Sequence, residues 1–168
     1  KVLSAGEPLS LQAHPTTEQA VEGHALGIFA DDQAKPELLV ALTEFEALCG
    51  FSPYGSTIDY LRGLGANLFA DFVQEQGKNS LADLYRGAFD ATETIAGLES
   101  VDDRHARWAW TLGEKYGHND PSVAATLLLN YVTLQPGQAL HLTAGNLHAY
   151  LRGSGIELMN ASDNVVRG

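Results

Sequence analysis

The alternation of apolar and polar residues changes character twice along this chain. Residues 1–15 and 26–50 carry short apolar runs and alternate apolar and polar segments, which predicts extended strands around turns. From about residue 55 to residue 130 apolar residues recur at spacings of three and four, which predicts amphipathic helices. After residue 130 the strand pattern returns. Strands, helices and strands again indicate a mainly β domain with an inserted helical segment, an α+β chain.

Local capping and turn signals support this division. Thr16 followed by Gln19 has the spacing of a capping box and predicts a short helix that ends near Gly23. Asp120-Pro121 predicts the start of a later helix, and Gln135-Pro136-Gly137-Gln138 has the signature of a type II turn. We expect strands over 131–134, 139–143, 147–152 and 155–159. The predicted domains are residues 1–54, 55–130 and 131–168.

Composition and charge exclude several classes of protein. The chain has 168 residues, 45% of them apolar and 18% charged, which is typical of a globular domain with a core. No apolar stretch is long enough to span a membrane. The net charge of −11 predicts no binding to nucleic acid or to anionic membrane surfaces. Because the first residue is not methionine and no polar tail ends the chain, we expect a piece of a longer protein.

The chain has a single cysteine, which indicates the cellular compartment. Cys49 excludes an internal disulfide and fits a reducing cytoplasm. We interpret Cys49 as a small buried hydrophobic residue rather than a nucleophile.

Four polar residues could form a metal site. Gln12 and His14 stand two apart in a strand-like run, so both side chains leave one face, with about 7 Å between their Cα atoms. Glu37 and His148 lie in other predicted strands or turns. Two imidazoles, a carboxylate and an amide oxygen suit zinc with room for water or substrate. On spacing alone, ordinary buried or surface histidines remain the alternative.

The other histidines give weaker signals. We expect His24 and His118 to be solvated, and His105, which lies beside Arg104 and Arg107, to be at the surface. His141 is expected to be structural, with a place beside a pocket as the alternative.

Several motifs together resemble a known family, the type I mannose-6-phosphate isomerases. The motifs are Pro8-Leu9-Ser10-Leu11-Gln12-Ala13-His14-Pro15, Lys35-Pro36-Glu37, Ala144-Gly145-Asn146-Leu147-His148-Ala149-Tyr150-Leu151 and the tail from Gly155 to Gly168. The resemblance implies a cupin-like β-barrel (jelly roll) with a helical insertion and one zinc ion per chain. It implies zinc ligation by Gln12, His14, Glu37 and His148, a catalytic arginine at Arg167, acidic residues near the pocket at Glu157 and Asp163, and polar lining residues at Ser10 and Lys35. We expect catalysis by Arg167 and Glu157, and substrate binding by Ser10, Lys35 and Asp163.

The resemblance also implies an activity, the interconversion of mannose 6-phosphate and fructose 6-phosphate through an enediol. We expect a small-molecule sugar phosphate as partner, a monomer, and a cytoplasmic location. Glu157 is our candidate general base, with Asp163 as the alternative, whereas Arg167 keeps its proton and would stabilise negative charge. Members of the family usually have proline at the position of Thr143, and an aromatic or apolar residue often stands at the position of His141. They also continue beyond both ends of this chain.

Two other interpretations stay open at this point. The chain could be a non-catalytic, zinc-binding and sugar-binding fragment of such an enzyme. It could also be a cupin metalloenzyme that acts on another substrate, for example through iron and oxygen.

Overall fold

The computed structural model describes all 168 residues, which divide into two units. The first unit contains Lys1–Gly50 and Tyr131–Gly168, and the second contains Phe51–Asn130. One helix, α1 (Thr17–Ala25), belongs to the first unit. The strands are β1 (Val2–Ala5), β2 (Gln12–Ala13), β3 (Glu37–Ala41), β4 (Phe45–Phe51), β5 (Leu129–Leu134), β6 (Ala139–Leu142), β7 (His148–Met159) and β8 (Val166–Arg167).

The second unit is helical. Asp103 caps α6 (Arg104–Tyr116) by accepting a hydrogen bond from the Ala106 N–H, and Asp120 caps α7 (Pro121–Thr126), where proline takes the first helical position. Its helices are α2 (Tyr54–Gly63), α3 (Asn67–Gln76), α4 (Ser80–Tyr85), α5 (Thr92–Ala96), α6 (Arg104–Tyr116) and α7 (Pro121–Thr126), with 3-10 turns at Gly77–Asn79 and Gly97–Ser100. None of these helices is long and apolar enough to cross a membrane.

The predicted surface position of His105 is wrong. Its side chain is buried, its Nε2 lies 2.8 Å from the Thr126 carbonyl oxygen, and its ring stacks on Tyr60 with 5.2 Å between centroids. Burial lowers the pKa of His105. The prediction failed because Arg104 and Arg107, both exposed, lie at helical offsets that do not share a face with His105.

The predicted cap and turn of the first unit are confirmed. Thr16 and Gln19 form both hydrogen bonds of a capping box at the start of α1. In the turn before β6, Gly137 has a φ of 88°, and the Gln138 N–H donates to the Gln135 carbonyl at 2.9 Å. The segment 26–36, for which strands were expected, is instead an irregular connection to β3.

A single long strand, β7, joins two antiparallel sheets. We expected two strands here, but one strand runs through Gly153, whose φ of 124° bends the backbone. Residues 148–152 pair with β4 in a sheet of order β5-β4-β7-β2-β8. Residues 153–159 pair with β1 on one side and with β3 on the other, and β6 follows β3. β7 therefore contributes residues to both sheets.

The core of the first unit is apolar and continuous across both sheets. Phe45 and Tyr150 pack edge to face, with 5.4 Å between their ring centroids. The buried cluster consists of Leu3, Ala5, Leu39, Ala41, Phe45, Ala47, Leu142 and Tyr150. Two antiparallel sheets that share a strand around one core, with an inserted helical unit, confirm the predicted α+β, cupin-like fold class.

The bend at Gly153 predicts a large cost for any side chain there. A Cβ atom at Gly153 would lie 2.6 Å from the Glu44 carbonyl oxygen and 2.8 Å from the Phe45 Cα, at a φ that L-residues rarely adopt. We expect Gly153→Ala to lower the free energy of unfolding by about 1–3 kcal/mol, the range for local backbone strain. Urea unfolding measures this change. The control is Gly6→Ala, because no atom lies within 4 Å of the added Cβ there. Equal stability of the two variants would contradict the conclusion that a side chain at Gly153 is strained.

Candidate metal centre and adjoining cavity

Three buried side chains from separate strands or strand ends converge on one point. His14 follows β2, Glu37 begins β3 and His148 begins β7. His14 Nε2 lies 3.1 Å from Glu37 Oε1, and His148 Nε2 lies 3.4 Å from Glu37 Oε2. The potential ligand atoms of all three residues lie within 4.8 Å of one another. The three groups therefore meet as a metal site requires.

Main-chain carbonyls fix the orientation of both imidazoles. His14 Nδ1 donates to the Asn164 carbonyl oxygen at 2.7 Å, and His148 Nδ1 donates to the Asn146 carbonyl oxygen at 3.0 Å. A histidine that donates through Nδ1 keeps the lone pair of Nε2 for a metal. Both Nε2 atoms point toward Glu37.

The electrostatics of Glu37 favour its charged form. Burial opposes ionisation, but in their protonated form the imidazoles of His14 and His148 outweigh it and hold the pKa of Glu37 well below its usual range. His14 Nε2 and Glu37 Oε2 are nevertheless buried without a hydrogen-bond partner. Unpartnered buried polar atoms are costly, and a cation between them would satisfy both.

Gln12 lies at the edge of this cluster. In the register of the sheet, Gln12 pairs with His148 on β7 and with Arg167 on β8. Its Nε2 lies 3.3 Å from His148 Nε2, and its Oε1 accepts a hydrogen bond from Arg167 at 3.0 Å. An amide oxygen can bind a metal and an NH₂ group cannot, so Gln12 would complete the ligand set with Oε1 turned toward the histidines.

The donor chemistry of the cluster fits zinc. Two neutral imidazoles, one carboxylate and one amide oxygen give the nitrogen and oxygen ligands that zinc accepts, with a single negative charge to offset the ion. No thiolate belongs to this cluster. Cys49 is half-buried, and burial raises the pKa of its thiol, which agrees with a packing role.

A cavity of about 260 Å³ adjoins the cluster and carries three basic side chains. Lys1 Nζ lies 3.2 Å from Glu157 Oε2, and Lys35 Nζ lies 3.7 Å from Glu37 Oε1. Arg167 donates to the hydroxyl oxygen of Ser10. The lining residues are Lys1, Leu3, Leu9, Ser10, Gln12, Lys35, Glu37, Tyr150, Glu157, Met159 and Arg167. With Glu37 and Glu157 also in its lining, the cavity carries one net positive charge in a chain of net charge −11, which suits it to an anion.

The structure brings most of the predicted site residues together. Ser10, Lys35, Glu157 and Arg167 all line the cavity. Asp163 is exposed and does not line it, so its substrate-binding role stays a prediction.

The remaining histidines lie away from the cluster. His141 is exposed on β6, where it pairs with Leu38, and it takes no part in the cavity. His24 is exposed, whereas His118 is partly buried and lies 2.9 Å from Glu114 Oε1. Full solvation was therefore correct for His24 but wrong for His118.

Two polar residues of the cavity, Tyr150 and Lys1, were not predicted from the sequence. Tyr150 lies two residues after His148 on the same strand, so the spacing rule that linked Gln12 to His14 could have found it. Its hydroxyl is buried without a hydrogen-bond partner, and burial together with the charges of Glu157 and Glu37 raises its pKa. Lys1 reaches the cavity only through the pairing of β1 with β7, for which the sequence gives no local signal.

The fold and the donor set define a metal-binding protein of cupin-like architecture. A model of the family "Phosphomannose isomerase type I, catalytic domain" matches residues 1–54. Over 99% of its length the chain is 34% identical to mannose-6-phosphate isomerase 1 of Arabidopsis thaliana and 33% identical to mannose-6-phosphate isomerase of Escherichia coli. It covers 45% and 48% of those proteins, so the chain spans about half the length of the curated relatives it matches.

Solved structures give the same result. A lysine-to-alanine mutant of phosphomannose isomerase from Salmonella typhimurium matches 99% of the chain with a TM-score of 0.83 and 31% identity, and the chain covers 48% of it. A mannose 6-phosphate isomerase bound with zinc and yttrium matches with a TM-score of 0.80 and 32% identity, over 99% of this chain and 48% of that one. The resemblance to the type I phosphomannose isomerases is therefore confirmed along this chain.

The geometry predicts that a divalent metal stabilises the chain. At free zinc about 100 times the dissociation constant, binding should raise the free energy of unfolding by about 2.7 kcal/mol. Glu37→Gln removes the only charged ligand and should weaken zinc binding by more than the factor of about 10–100 that outer-shell changes cause. Competition titration and thermal unfolding with and without chelator measure both effects. The control is Glu22→Gln, on the exposed side of α1. If both variants bind zinc as tightly as the wild type, Glu37 is not a zinc ligand.

Proposed function

We propose that this chain carries the zinc-dependent catalytic site that interconverts mannose 6-phosphate and fructose 6-phosphate. The observation that carries the proposal is the position of the His14, Glu37 and His148 cluster beside a cavity that holds three cations and a buried carboxylate. The similarity of the whole chain to mannose-6-phosphate isomerases supports it.

The proposed ligands are Gln12, His14, Glu37 and His148, with one zinc ion per chain. When bound, the ion would stabilise the negative charge that develops on the substrate oxygens as the enediol forms. The remaining chemistry falls to side chains of the cavity.

Glu157 is the proposed base. The isomerisation moves a proton between C2 and C1 of the sugar, and this step needs a group that both accepts and returns it. The Glu157 carboxylate is buried in the cavity wall and is held there by Lys1 at 3.2 Å. A buried carboxylate fixed by an ion pair can approach a carbon-bound proton without competition from bulk water.

Cationic and polar side chains are proposed to hold the substrate. A guanidinium group offers N–H donors and no acceptor, so Arg167 does not serve as base and instead stabilises oxygen anions. Lys35 and Ser10 lie in the same cavity and can bind the sugar oxygens or the phosphate.

The proposal also includes an anionic sugar as substrate, a monomeric state and a cytoplasmic location. The single cysteine supports this location, and the net charge of −11 argues against nucleic acid as a partner.

An isomerase assay tests the proposal directly. The zinc-loaded 168-residue chain should convert fructose 6-phosphate to mannose 6-phosphate in a coupled assay. Glu157→Gln should lower kcat by about 10²–10⁴-fold, the typical contribution of a general base, while zinc binding is unchanged. The control is Glu75→Gln on the exposed face of α3, which removes the same charge outside the cavity and should leave kcat unchanged.

The outcomes separate the alternatives. Full activity of Glu157→Gln would exclude Glu157 as the base. No turnover by a chain that binds zinc would make it a non-catalytic zinc-binding fragment. Iron in the purified protein together with oxygen consumption would indicate a different cupin metalloenzyme.

A further inference from the structure

The carboxamide of Asn164 is buried in a loop that none of the proposed chemistry uses. Asn164 is 2% exposed and precedes β8. Its Oδ1 accepts a hydrogen bond from the Ala30 N–H at 3.1 Å. Its Nδ2 donates to the main-chain oxygens of Asp31 at 2.8 Å and Gln33 at 3.2 Å, and to the Asp31 carboxylate at 3.0 Å. One side chain thus pairs four polar groups of an irregular loop.

The main chain of the same residue contacts the metal cluster. The Asn164 carbonyl oxygen accepts the hydrogen bond from His14 Nδ1 at 2.7 Å, in a buried position. That bond orients the ring and directs Nε2 toward Glu37. The position of the Asn164 backbone therefore determines the position of one proposed ligand.

The loop bound by the carboxamide leads directly to two other site residues. After Gln33 the chain continues through Lys35 to Glu37, which is the carboxylate of the cluster. Three residues beyond Asn164 stands Arg167, which donates to Gln12. Asn164 consequently connects the segments that carry His14, Glu37 and Arg167.

A second polar residue reinforces this connection. Ser162 Oγ lies 3.0 Å from the Asp31 carboxylate and accepts the Asn164 N–H at 3.1 Å. Ser162 is buried as well. The loop and the segment before β8 are therefore held by a closed set of hydrogen bonds.

The geometry points to Asn164 as a positioning residue for the metal centre, one that controls zinc affinity without touching the ion. Its carboxamide holds the 30–33 loop and its own backbone in place, and its carbonyl then orients His14. This inference rests on the proposed function only in that it takes the cluster to bind zinc. Outer-shell groups of this kind change metal affinity by about 10–100-fold.

A purely structural role would give a different result. If the carboxamide only stabilised the fold, its loss would lower the unfolding free energy and leave the zinc affinity of the folded protein unchanged. Zinc affinity and the hydrogen exchange of His14 Nδ1–H are therefore the two readouts that discriminate.

The experiment compares two asparagines on the same segment. Asn164→Ala, studied under conditions where it is folded by circular dichroism, should bind zinc about 10–100-fold more weakly in chelator competition. In the zinc-loaded protein its His14 Nδ1–H should exchange with solvent faster. Asn160→Ala removes an exposed carboxamide that makes one bond, to the Ala34 carbonyl at 3.1 Å, and should change zinc affinity by less than about threefold.

A second variant keeps the test informative if Asn164→Ala does not fold. Asp31→Ala leaves Asn164 intact but removes the carboxylate that accepts from its Nδ2, and should weaken zinc binding in the same direction by a smaller factor. Unchanged zinc affinity in folded Asn164→Ala, or in Asp31→Ala where the first is unfolded, would overturn the inference. Absence of zinc binding in the wild type would instead refute the proposed metal centre itself.

Discussion

The contact of the Glu37 carboxylate with the imidazoles of His14 and His148 is the interaction around which the first unit is arranged. A buried carboxylate is costly unless it is paired, and both imidazoles lie within 3.4 Å of it. The strand β7 supplies His148 at its start and Glu157 nine positions later, so a single strand connects the metal cluster with the cavity wall. The bend at Gly153 allows this strand to take part in both sheets.

Sequence reasoning succeeded where the signal was local. The two-residue spacing of Gln12 and His14 placed both on one face, and the capping box at Thr16 and the turn at Gly137 depend only on neighbours along the chain. Glu37 and His148 were candidates on residue type alone, and only the resemblance to a family joined them to that pair, because no local rule sets the pairing of distant strands. The same limit explains why Lys1 was missed: its approach to Glu157 follows from the register of β1 on β7.

Errors arose where tertiary packing overrides local pattern. His105 was expected at the surface on the evidence of its charged neighbours, yet the helix turns it toward Thr126 and Tyr60. The break expected near Gly153 is a bend within one strand, since glycine adopts a conformation that lets the ladder continue. The structural role of Asn164 could not be predicted from the sequence, because its contacts with residues 30–33 join segments more than 130 residues apart.

The location of a bound metal is the most direct test of this account. Anomalous diffraction at the zinc edge from crystals of the zinc-loaded chain should show one ion. It should lie about 2.0–2.2 Å from His14 Nε2, His148 Nε2, a Glu37 carboxylate oxygen and Gln12 Oε1. An ion bound elsewhere, or one with a sulfur ligand at about 2.3 Å from Cys49, would contradict the account.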